Sequence, residues 1–295
     1  MLTLLLTIAS LSTAAPVTAN APAVGDGPEH VDVRVLSIAE NRFKDLTPRS
    51  SDGSVVQVFS SWNQDRNTLT VALGLRGRPV TAATHYGRIA LKGASFDGGA
   101  ALTLNADFKV GFTDPRTEFV QIDRDSMYFG RPDASADQII VELKFDLPPR
   151  KATRIEKLTG VIELRTGDTR ELTIDGIASK PGAAIENSAL RAAGVTLTVA
   201  DPKSKQPGFF MSGAPGKSVT LKVSGNVDAL LDAELIDADG EPLYASRMTS
   251  TGEGATVIVL EDDADLPPTT RLKLRVAVDQ KTIPVPFDLK SIELP

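Results

Sequence analysis

The dominant period along the chain is two. Leu69, Val71, Leu73 and Leu75 alternate with small or polar residues, and Ile139, Val141, Leu143, Phe145 and Leu147 repeat the pattern around Glu142, Lys144 and Asp146. In the last third, Val195, Leu197 and Val199 alternate with threonines. Val219, Leu221 and Val223 alternate with Thr220, Lys222 and Ser224, and Leu272, Leu274, Val276 and Val278 with Arg271, Lys273, Arg275 and Ala277. Successive side chains of a strand point to opposite faces, so each segment reads as a strand with one dry and one wet face. A slip of one residue would exchange those faces, which specifies register strongly, and a single wet face is the habit of antiparallel sheets. The same reading of Leu102, Leu104, Ala106, Phe108, Val110 and Phe112 predicts a long half-buried strand over residues 101–112.

Glycine and proline punctuate these runs. Asp52-Gly53, Asp97-Gly98-Gly99, Gly167-Asp168, Asp239-Gly240 and Thr251-Gly252-Glu253-Gly254 predict hairpin connections. Pro148-Pro149 follows one strand, and Pro267-Pro268 precedes another. Helical periodicity is confined to Ala183–Ala193, with Gly194 placed as a C′ glycine; the same stretch reads equally as an inter-domain linker. Leu69–Leu75 followed by Arg88–Gly93 is echoed by Ile139–Phe145 followed by Leu158–Leu164, and again by Leu272–Val278 followed by Pro284 and Pro286. The spacing is not constant, so these are recurrent strand–turn–strand units rather than a solenoid.

The expected fold is all-β: tandem antiparallel β-sandwich domains, the second immunoglobulin-like. Residues 29–180 form a β-sandwich-like domain, as one sandwich or two small sheets, and residues 190–295 an immunoglobulin-like sandwich of about seven short strands. A length of 295 residues suits two domains. Residues 283–295, Ile-Pro-Val-Pro-Phe-Asp-Leu-Lys-Ser-Ile-Glu-Leu-Pro, carry a Pro-Phe-x-x-Lys-x-Ile-x-Leu-Pro pattern. This segment resembles the last strand of a group of exported bacterial β-sandwich proteins. The resemblance covers about a dozen residues and implies export and a sandwich, with no activity.

The apolar run Leu2–Leu11 is followed by small residues, Pro16 and the small-x-small triplet Ala19-Asn20-Ala21. Residues 1–21 therefore read as a secretory signal peptide, although no Lys or Arg precedes the apolar run; the alternative is a disordered tail. Residues 22–28 read as a mature leader. The run is shorter than the ~20 apolar residues a membrane span needs, and no later segment approaches that length, so no transmembrane segment is predicted. The expected location is exported, periplasmic or extracellular.

Composition narrows the chemistry. With no cysteine, there is no disulfide, thiolate metal site, cysteine nucleophile or lipid-anchored N-terminal Cys. Hydrophobic residues at 41% and charged residues at 24% exclude wholesale disorder. The formal net charge of −6 has the wrong sign for a generic nucleic-acid binder. Arg150-Lys151 with Arg154 and Lys157 is the densest basic group and reads as decoration of a solvated strand or turn.

The two histidines, His30 and His85, are candidates for a base or metal ligand, against a surface or half-buried structural role. There is no Gly-x-Ser-x-Gly elbow. Gly216-Lys217-Ser218 resembles the end of a phosphate-binding loop, but Met211 stands where its first glycine belongs, and a strand follows. Glu261-Asp262-Asp263-Asp265 and Asp237-Ala238-Asp239-Gly240-Glu241 offer oxygen ligands for Ca²⁺, or read as a solvated loop and a hairpin turn. Trp62, Tyr86 and Tyr128 are candidate sugar platforms, and Gly208-Phe209-Phe210-Met211 is a seam strand or a partner patch. No catalytic, cofactor or metal residue is assigned. Three readings stay open: a non-catalytic binding or structural protein of the envelope, with a protein or glycan partner; a carbohydrate-binding module; and a carboxylate-dependent hydrolase.

Overall fold

The structure, a computed structural model, describes residues 30–42, 67–111, 113–122, 134–135, 137–201, 216–243, 246–252 and 255–295. Strand takes 62% of it and helix 8%, and the sheets are antiparallel, so the expected all-β class holds.

In chain order the strands are β1 (Asp32–Asn41), β2 (Thr68–Arg76), β3 (Ala83–Phe96), β4 (Phe119–Gln121), β5 (Ala134–Ser135), β6 (Gln138–Asp146) and β7 (Arg154–Ile174). They continue with β8 (Val195–Val199), β9 (Ser218–Gly225), β10 (Leu230–Ile236), β11 (Ser246–Gly252), β12 (Ala255–Glu261) and β13 (Arg271–Glu293). One helical turn, α1 (Arg78–Thr81), joins β2 to β3, and α2 (Ser188–Ala193) precedes β8. Three sheets result, with strand orders β1-β2-β6-β5, β10-β13-β7-β3-β4 and β11-β12-β9-β8.

The chain divides into two compact units. One runs to Leu164 and takes back Ile283–Pro295; the other is Arg165–Thr282. The sequence places a junction between residues 180 and 190; the division falls instead inside two strands. β7 and β13 are 21 and 23 residues long, and each begins in one unit and ends in the other. The apolar alternation lapses near the crossing: Asp168–Glu171 of β7 are exposed, and no residue of β13 is buried between Val278 and Val285.

In the first unit the periodic residues meet across strands. Leu69 pairs with Phe145, Val71 with Leu143, Leu73 with Val141 and Leu75 with Ile139. All eight are fully enclosed, and such cross-strand apolar pairs are the stabilising unit of a sheet. Val35 and Ile38 from β1 join them, with Tyr86, Ile89 and Phe96 from β3, Ile155, Leu158, Ile162 and Leu164 from β7, and Val285, Phe287 and Ile292 from β13. The second unit has its own core. It takes Val195, Leu197, Val219, Leu221, Val223, Ile258 and Leu260 from one sheet, and Leu172, Leu230, Leu235, Leu272, Leu274, Val276 and Val278 from the other.

Two sequence expectations are overturned. Residues 101–112 are not a long strand. Asn105 bends the chain: its side-chain oxygen accepts from the Asp107 amide at 2.9 Å, and its carbonyl accepts from the Phe108 amide at 3.1 Å. Among the described residues the segment makes only isolated bridges, Ala101 to Ser95, Leu104 to Phe145 and Val110 to Thr113. Leu102 and Phe108 are nonetheless buried, so the alternation reported burial, while local Asx-turn chemistry decided the backbone. Gly167-Asp168 is not a hairpin but lies inside β7. A Cβ on Gly167 would lie 2.8 Å from the Val278 carbonyl oxygen, so this glycine marks close strand approach rather than a turn.

Other expectations hold. Gly98 and Gly99 turn with φ of 81° and 82°, and Gly240 turns with φ of 94°. α2 forms at the end of the Ala183–Ala193 stretch. The Asn187 side chain caps it by accepting from the Ala189 amide, and Gly194 ends it at φ 71°. The signal segment, Asp52-Gly53, and the Gly208–Met211 group lie outside the described residues.

Candidate functional site

The most organised polar group on a sheet surface lies where β3, β4 and β7 run side by side. Its origin is local. Tyr86 and Ile89 are both buried in the first core although they stand three residues apart. An even period would put them on opposite faces, so one residue is extruded between them, as in a β-bulge. That residue is Arg88, whose φ of +44° falls in the left-handed region that non-glycine residues seldom enter. Gly87 makes the bend sterically possible, since a Cβ there would overlap the Glu118 carbonyl oxygen. Beyond Gly87↔Phe119 the pairing with β4 gives way to bonds from the Arg88 amide to the Glu118 carbonyl (3.3 Å) and from the Ile89 amide to the Pro115 carbonyl (2.9 Å).

The bulge sets the Arg88 guanidinium 5.0 Å from the centre of the Phe119 ring and 3.7 Å from Glu163 Oε2. Cation–π attraction and the ion pair hold it there. Glu163 Oε2 is enclosed and accepts no hydrogen bond, so Arg88 is its nearest charge partner. Arg88 itself remains more than half exposed. The result is a fixed, accessible cation flanked by an aromatic ring near the end of a sheet.

The adjoining loop is tied by Arg116. Its Nε donates to Asp114 Oδ1 at 2.8 Å and its Nη2 to Oδ2 at 2.6 Å. The remaining donors reach the Asn105 and Ala106 carbonyls. The guanidinium holds the Asp114 carboxyl below the usual aspartate range, and Asp114 in turn raises Arg116. The arrangement suits recognition more than proton transfer, because Arg116 holds the Asp114 carboxylate in its charged form.

The sequence candidates fall elsewhere. His85 is buried in β3, with Nδ1 3.0 Å from the Thr84 hydroxyl. His30 is exposed at the start of the described chain. Tyr86 is buried in the core and presents no platform to a sugar; Trp62 and Tyr128 lie outside the described residues. In the Asp237 turn, Oδ1 accepts from the amides of Asp239, Gly240 and Glu241, while Arg271 donates to the Asp237 and Ala238 carbonyls. That is the hairpin reading of this segment. Asp262 accepts from the Ala264 amide, and Lys217 Nζ reaches the Asp263 carbonyl, so the Gly216-Lys217-Ser218 group braces the acidic loop. Among the described residues no three His, Asp or Glu converge. Arg150, Lys151, Arg154 and Lys157 are exposed, as read from the sequence.

Sequence reasoning passed over Arg88, Phe119 and Glu163. The available signal was the slip of the apolar period from Tyr86 to Ile89, which marks a bulge. No protein-family model, no curated protein and no solved structure matches the chain significantly.

Proposed function

We propose that the chain is an exported, non-catalytic binding or structural protein of the periplasm or cell exterior, made of two β-sandwich units of immunoglobulin-like strand order. The strand order supports the sandwich part of this reading. In an immunoglobulin-type sandwich, strands A, B, E and D make one sheet and C, F and G the other, with C′ beside C in extended forms. Lettering β1, β2, β3, β4, β5, β6, β7 and β13 of the first unit A, B, C, C′, D, E, F and G turns its sheets into A-B-E-D and C′-C-F-G. In the second unit β8 to β13 become A to F and β7 becomes G, giving A-B-E-D and C-F-G. Each core draws on both of its unit's sheets.

Fold alone does not name a function. The binding role rests on the Arg88–Phe119 patch, since arginine and aromatic side chains are enriched where proteins make contacts. Export rests on Leu2–Leu11 with Ala19-Asn20-Ala21 and on the likeness of residues 283–295 to exported sandwich proteins. Among the described residues no helix is long and apolar enough to cross a membrane.

Two measurements test the proposal. Expressed in a bacterium with an outer membrane, the chain should appear outside the cytosol with Pro22 as its first residue; a chain kept at full mass in the cytosol overturns export. Pull-down from an envelope fraction should capture a protein or glycan partner, and Arg88→Ala should weaken capture at least tenfold without changing the circular dichroism spectrum. Undiminished capture removes the patch from the proposal.

A further inference from the structure

The first unit is not completed by the chain that follows β7. After Leu164 the strand continues into the second unit, and the first unit waits for Ile283–Pro295. The second unit mirrors this: β13 supplies it with Arg271–Thr282 and then leaves for the first. In a simple tandem each unit would close on a hairpin between its own last two strands. Here each penultimate strand runs on as the other unit's final strand.

We infer that the two units have traded their last strands, and that the flank of β7 from Arg154 to Leu164 is a strand-accepting site whose ligand is the extended segment Ile283–Pro295. The inference rests on unit membership and strand order, and stands independently of the exported binding role.

The site is shaped for this ligand. Val285, Phe287 and Ile292 are buried in the first core, while Pro284, Pro286 and Asp288 between them face outward. Gly160 on β7 has no side chain where the Phe287 ring lies: a Cβ there would stand 2.7 Å from the ring and 2.6 Å from the Ala90 carbonyl oxygen. The Leu294 amide donates to the Thr153 carbonyl at 2.9 Å and anchors the far end. Pro284 and Pro286, two residues apart, put their donor-less nitrogens on one side of the strand. Pairing with β7 around Val285 and Phe287 then uses the other side, and the proline side disfavours any further strand; Ser291, at φ 52°, shifts the alternation before Leu294. β10 pairs with β13 only over Arg271–Val276, so Ile283–Pro295 ends its sheet. Main-chain bonds with alternate side chains in pockets are the general means by which a sheet edge takes up an extended peptide.

The full chain carrying Val285→Asp and Phe287→Asp tests the assignment by amide hydrogen exchange. The amides of β2 and β6 should lose protection at least tenfold, and those of β9 and β12 should keep theirs. Loss confined to the second unit, or no loss in either, overturns the inference. Should that variant fail to fold, a second experiment decides. A specific protease site is inserted between Lys281 and Thr282 of the full chain. The cleaved chain is unfolded in urea and refolded with an excess of labelled Ile283–Pro295 peptide. Saturable incorporation of this peptide, and none of the Val285→Asp/Phe287→Asp peptide, supports the site; equal uptake of both, or of neither, overturns it.

Discussion

Asp97 illustrates how single side chains hold the loops. It accepts from the Thr153 hydroxyl first, and also from the Thr153 and Arg154 amides, so its carboxyl titrates below the ordinary 3.8. Asp114 is lowered likewise, by Arg116. A carboxylate with a depressed folded pKa contributes stability that is present above its unfolded value and lost as pH falls through the folded one. The first unit should therefore weaken below about pH 3.8, as the two carboxylates take up protons. Thr153→Val should move the Asp97 titration upward, which carbon-detected NMR of its carboxyl would register; an unmoved titration would refute the hydroxyl as the main cause. Arg88 is a different case, a cation placed by an unfavourable backbone angle. Arg88→Gly should relieve that strain while deleting the charge, leaving unfolding free energy within about 1 kcal/mol of the parent in urea melts.

At the scale of elements, close strand approach is the recurrent device. Gly87 against Glu118, Gly160 against Ala90 and Phe287, and Gly167 against Val278 all lack the atom that would push neighbours apart. Gly160→Ala should cost about 1–3 kcal/mol, read as a lower denaturant midpoint with unchanged slope. Leu143→Ala, at the centre of the first core, should cost about 2–5 kcal/mol by the same measurement, because it leaves a cavity between strands that cannot collapse. The short α2 depends on its cap, so Asn187→Ala should cost about 1 kcal/mol. Each of these elements follows from nearby sequence once strand burial is known. The segment 101–112 is the counterexample, because Asn105 overrode a pattern of six alternating apolar residues.

At the scale of the molecule, β7 and β13 decide the architecture. They are neighbours in one sheet, and they visit the two units in opposite order, so they run antiparallel. A chain in which an Asn-Gly turn replaces Arg165–Thr282 should restore a hairpin between them and fold as the first unit alone. A single cooperative melt with native-like exchange protection of β2 and β6 is the expected outcome; a molten species would refute it. The net charge of −6 belongs to this scale too, favouring solubility and weighing against phosphate-rich partners without choosing a fold.

Strands β2, β6, β8, β9 and the first part of β13 were legible from residue order. Alternation with a period of two identifies which face is dry, and that follows from the pleat of any strand. The turns at Asp97-Gly98-Gly99 and Asp239-Gly240 were equally legible, since positive φ is a local demand that glycine meets. Tertiary structure alone decided the partners. Nothing in Val285, Phe287 and Ile292 states which sheet they close, because alternation encodes a buried face and is silent about what covers it. The same limit hid the patch at Arg88, which exists only because β3, β4 and β7 bring residues 88, 119 and 163 side by side.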